Sequence, residues 1–154
     1  MHPSQDIATL AAQLGRDPHP PARVVARCGA GRPVVVEQPA RTPDGAPFPT
    51  VFWLTCPGLV RGIARLEAAG GVRALEARIA EDPALTEVFA AAQRRHAALR
   101  PPHGPGIGGV ARPQAVKCLH AHAAFALGAP PYSIGDALIA EAGGIPSPCC
   151  MEER

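Results

Sequence analysis

Residues 50–66, TVFWLTCPGLVRGIARL, change period halfway along. TVFWLT at 50–55 is a β-branched and aromatic run of strand length. After Cys56, Pro57 suits the first position of a helix, and Leu59, Ile63 and Leu66 recur at helical spacing. Upstream lie two more β-branched runs, ARVVAR at 22–27 and PVVVEQ at 33–38, joined as a hairpin by CGAG at 28–31. Downstream only helical patterns follow. Strands grouped before helices predict an α+β fold: a small antiparallel sheet, hairpin plus third strand, packed with about five to six helices.

The other boundaries follow from local signals. Ser4 caps a helix over 4–14, which Gly15 stops. Residues 16–21 read as a Pro-rich linker, so 1–21 form an N-terminal helix and linker, 22–150 a single domain and 151–154 a tail. Residues 39–49 form a loop with an Asp44-Gly45 turn. Gly70-Gly71 ends the helix after Cys56, a second helix spans 72–81, and Asp82-Pro83 starts a third over 83–99. RPPHGPGIGG at 100–109 is a loop, Pro113 opens a helix over 113–127, and a short helix covers 134–142. Arg94, Arg95 and His96 read as a solvated basic cluster, as do Arg61 and Arg65.

The chain has 154 residues, 47% hydrophobic and 18% charged, enough to build one core and too apolar for disorder. No run reaches the length of a membrane helix, and the start lacks a signal-peptide core. A net charge of +2, scattered basic residues and only 4% aromatics argue against nucleic acid. A single lysine among fifteen basic residues, with abundant Ala, Gly and Pro, fits GC-rich coding and a bacterial cytoplasmic protein. Five cysteines, an odd number without a secretory signal, argue against a disulfide framework. No GxSxG, HExxH, P-loop or CxxC pair is present.

Chemistry is carried by a few clusters. In VKCLHAH at 116–122, helical geometry puts Val116, Leu119, Ala123 and Leu127 on one core stripe. Cys118 and His122, four apart, become neighbours on another face, while His120 falls on nearly the opposite side from Cys118. Thiolate plus imidazole suits zinc or iron. The competing reading is a packed thiol and surface histidines. Cys56 falls at a helix N-cap, good placement for a nucleophile or a ligand, or simply a buried turn. Cys149-Cys150 offers a further thiolate or a redox-labile end, and Cys28 in the hairpin turn is given no function. The Gly-rich loop, with Gly108 and Gly109, and the nearby Lys117 form a weak anion cradle or a plain connector.

The segments DGAPFPTVFWLTCP (44–57), RLEAAG (65–70), GIGG (106–109) and VKCLHAHAA (116–124), in this order, resemble a bacterial domain-of-unknown-function family numbered 501. The resemblance spans about 20–150. It implies no established activity, and it draws attention to Cys56, Glu67, Cys118, His120, His122 and a late cysteine. The chain departs from the family pattern at Phe125, where a further histidine is common, and at Tyr132–Gly135, where an Asn-Pro turn often follows. Family genes often lie beside septum-formation and exopolyphosphatase genes.

Three readings result. The first is one zinc or iron held by Cys56, Cys118, His122 and Cys149, with His120 and Cys150 as alternates. Four protein ligands would make it structural; three would leave a hydrolytic position, with Glu67 as general base. The second is a metal-free thiol enzyme, Cys56 or Cys118 paired with His120 or His122, binding an anionic substrate through Arg65, Lys117 or the glycine loop. The third is a non-catalytic module with a protein partner in cell division or envelope processes.

Overall fold

The computed structural model describes residues 3–18, 22–48, 50–100, 104–112 and 114–151. Pro113, residues 19–21 of the linker and residues 152–154 of the tail lie outside them. Helix α1 (Pro3–Leu14) precedes β1 (Arg23–Arg27), β2 (Pro33–Glu37) and β3 (Phe52–Leu54). Then come α2 (Pro57–Ala68), α3 (Gly71–Glu81), α4 (Pro83–Ala98), a 3-10 turn at Ile107–Gly109, α5 (Leu119–Gly128) and α6 (Ser133–Glu141). The fold is α+β, as the order of patterns predicts. No helix among the described residues is long and apolar enough to cross a membrane.

The sheet is antiparallel in the order β1-β2-β3. Val35 pairs with Leu54 and Val36 with Trp53. β3 is shorter than the TVFWLT run, but its flanks continue the pairing: Gln38 N–H donates to Val51 O at 2.7 Å and Thr55 N–H to Val34 O at 2.8 Å. The central strand is buried on both faces at Val34, Val35 and Val36. The hairpin closes through Cys28, whose carbonyl accepts Gly31 N–H at 2.9 Å, and Gly31 takes the left-handed φ of +77° that such a turn needs.

Most helix boundaries fall where the caps put them. Asp82 accepts Ala84 N–H at 2.9 Å and so starts α4 ahead of Pro83. Gly70, at φ +86°, turns the chain from α2 into α3.

The expected helix over 113–127 is the main correction. It begins only at Leu119, and Cys118 is its N-cap, extended at φ −151° and ψ 153°. The expected amphipathic stripe is absent too, because Ala121 through Ala126 are all buried. The cause is position: α5 lies against β3 on one side and α2 and α6 on the others. Its alanines and Gly128, whose missing Cβ leaves room for the Phe52 ring, permit this close approach. Phe125 sits in an aromatic group with Phe52 and Tyr132, and the Arg95 guanidinium lies 4.9 Å above its ring.

The basic cluster on α4 is corrected at one residue: Arg94 and Arg95 are exposed, as a solvated cluster predicts, but His96 is not. His96 is 2% exposed, with Nδ1 2.9 Å from Pro105 O. Arg95 donates to Ala129 O at 2.9 Å and Pro131 O at 2.6 Å, satisfying carbonyls just past the end of α5.

The N-terminal helix is tied to the sheet by a forked pair. Arg27 donates from both terminal nitrogens to Asp6, each at 2.8 Å. These hydrogen bonds hold the Asp6 carboxyl below its ordinary 3.8, against a smaller opposing effect of burial. A carboxyl lowered on folding adds stability above about pH 3.8 and loses it as pH falls through the lowered value. For so exposed a pair the contribution is about 0.5 kcal/mol. Asp6→Asn should cost that much at pH 7 and nothing at pH 2, as read by urea unfolding at both pH values.

Candidate metal centre and adjoining cleft

The side chains of Glu67, Cys118 and His120 meet at one point, where a carboxylate oxygen, Sγ and a ring nitrogen all lie within 4.8 Å of one another. Two elements build the cluster. Glu67 closes α2, and Cys118 and His120 flank Leu119 at the start of α5. The Glu67 carboxylate divides its oxygens between them. Oε2 accepts the Leu119 N–H at 2.8 Å, and Oε1 lies 3.0 Å from His120 Nδ1. Cys118 gives α5 no side-chain cap, so the carboxylate from α2 serves as one.

His120 bridges the two walls of the cluster. Its Nε2 is 3.2 Å from Val60 O, and its Nδ1 faces the Glu67 carboxylate, so one ring nitrogen is already directed at a potential co-ligand. Burial, and to a smaller extent the Glu67 charge, pushes the Cys118 thiol up. Without a cation, Cys118 is therefore a thiol at neutral pH, which is a weak nucleophile. Carboxylate, thiolate and imidazole together make a donor set suited to a divalent transition metal, so the group can hold a metal ion.

The cluster opens on a cleft of about 410 Å³ between β3, α2, the 3-10 turn and the start of α5. Its walls include Trp53, Val60, Gly108 and Lys117, beside Cys118 and His120. Lys117 is exposed and Trp53 is 40% exposed at the rim. An apolar cleft with a few convergent polar groups is the usual form of a small-molecule site.

The remaining expected residues go elsewhere. Gly108 lines the cleft beside Lys117, but the Gly109 amide donates to Gly106 O at 2.9 Å and is not free for an anion. Arg65 is exposed near the end of α2. His122 is fully buried, with its ring stacked on Phe89 and Nδ1 2.8 Å from Tyr132 Oη. Burial, and then the charge of His96, pushes it down to about 4. Because Cys118 precedes the helix, the helical spacing that pairs it with His122 does not apply, and His120 is the histidine beside it. Cys56 is the N-cap of α2, as its position before Pro57 predicts, and its sulfur faces Cys150 at 3.6 Å. The contact of Cys28 with Cys149 carried no signal in the sequence, since the two lie at opposite ends of the chain.

The family model described as "Protein of unknown function (DUF501)" matches residues 24–140, and the chain belongs to that family. No curated protein and no solved structure matches it. The matched span contains Glu67, Cys118, His120 and every named lining residue of the cleft.

The capping role makes a distinct prediction. Glu67→Ala leaves the Leu119 N–H without its partner and should cost about 1–2 kcal/mol in urea unfolding of metal-free protein. Glu67→Gln keeps an acceptor for that amide and should cost less than half as much. Equal losses would show that the carboxylate charge, and not the cap, matters.

Proposed function

We propose that the protein binds one zinc or iron ion through Glu67, Cys118 and His120, with a fourth position open to the adjoining cleft. The observation that carries this is the convergence of three donors: a Glu67 oxygen, the Cys118 sulfur and a His120 ring nitrogen all lie within 4.8 Å of one another, with the ring nitrogen Nδ1 3.0 Å from the carboxylate. Three protein ligands and one open position are the pattern of catalytic rather than structural zinc sites. A metal held there would keep Cys118 as thiolate and would supply Lewis-acid chemistry, beside a cleft whose walls carry Trp53 and Lys117. The reading is thus metal-assisted hydrolysis of a small substrate with an apolar body, with Lys117 beside its polar end.

The rise of the Cys118 pKa weighs against the metal-free thiol enzyme at this cluster. Metal analysis of untagged protein, purified without chelator, tests the proposal. About one zinc or iron per chain is expected. Glu67→Gln and Cys118→Ser should both lose it with unchanged far-ultraviolet circular dichroism. Failure to take up metal under reducing reconstitution, or full metal content in both variants, would overturn it.

A further inference from the structure

The tail of the chain brings a second pair of thiols together, away from the proposed metal ligands. Cys56 and Cys150, 94 residues apart, place their sulfurs 3.6 Å from each other. That is van der Waals contact, so a bond between them needs only a local approach. The two are unlike. Cys56 is 3% exposed, whereas Cys150 is partly accessible. The Cys150 sulfur also accepts the Gly58 N–H at 3.3 Å, from the first turn of α2.

Gly58 is what lets the tail sit so close. A Cβ at this position would come 2.4 Å from Pro146 Cγ and 3.3 Å from the Cys150 sulfur. The tail is therefore seated on a glycine surface of α2, with its thiol over the buried one.

We propose that Cys150 and Cys56 form a thiol–disulfide exchange site for small-molecule disulfides, and that the reaction closes a Cys56–Cys150 bond that fastens the tail to α2. The Cys150 thiolate attacks one sulfur of the small disulfide. A mixed disulfide forms, and one small thiolate leaves with the proton Cys150 gave up. The Cys56 sulfur then attacks the Cys150 sulfur of the mixed disulfide. The second small thiolate leaves and takes the proton from Cys56. Two protein thiols are oxidised, and one small disulfide is reduced to two thiols. Burial pushes the Cys56 thiol up to about 11, so its attack is the slower step and depends on the departing thiolate taking its proton.

Two other cysteines adjoin this pair and supply its alternatives. Cys28 and Cys149 lie near enough to each other to influence each other's titration. The test is incubation of the full chain with glutathione disulfide, followed by acid quenching, alkylation of free thiols and peptide mapping by mass spectrometry. The expected product is a Cys56–Cys150 cross-link, formed equally in Cys28→Ser. Cys150→Ser should leave Cys56 free to alkylation after unfolding. Gly58→Ala keeps both thiols and a good helix former, yet should slow closure roughly tenfold by displacing the tail. A stable mixed disulfide at Cys150 with Cys56 still free would overturn the proposal. So would a product confined to Cys28–Cys149 or Cys149–Cys150, or closure in Gly58→Ala at the wild-type rate.

Discussion

One carboxylate joins the two halves of the helical layer. Glu67, at the end of α2, accepts the first amide of α5 and lies against the His120 ring within the first turn of that helix. α5 is packed against the sheet and against α2 and α6, and only its start opens on the cleft. The residue at its N-cap, Cys118, gives no side-chain cap. A cap must come from another element, and a negative one suits the positive end of the helix. The same requirement that positions α5 therefore delivers a carboxylate, a thiol and an imidazole to one place. Fold and candidate chemistry share a cause.

Local signals in the sequence predict most of the architecture. The β-branched runs, Pro57, Gly70 and Asp82 each act within a few residues, and the elements they predict occur. α5 shows where such reasoning stops. Its alanines look like a weak amphipathic pattern, yet they are there because the helix is surrounded, a fact set by tertiary packing. The misread residue on α4 follows from the same cause. His96 looks like a surface charge in sequence, but it is buried near Pro105.

The candidate site was half legible. Cys118 and His120 are visible as chemistry-bearing residues, and the family resemblance singles out Glu67 beside them. Which histidine faces the thiol depends on where α5 begins, and this is set by a residue 52 positions away. The cysteines divide on similar grounds. Cys118 belongs with Glu67, whereas Cys56 and Cys28 face the tail. Spacing along the chain holds no trace of that division, because the tail is placed by Gly58 and Pro146 rather than by any pattern around the cysteines themselves.

The central claim concerns what lies between His120 and Glu67. X-ray absorption at the edge of the bound metal reads that neighbourhood directly. The account predicts a first shell with one sulfur at about 2.3 Å and the remaining scatterers, nitrogen or oxygen, at about 2.0–2.2 Å. A shell with two or more sulfurs would place the metal among the tail cysteines, and a shell with none would remove Cys118 from the site. Either result would contradict the account.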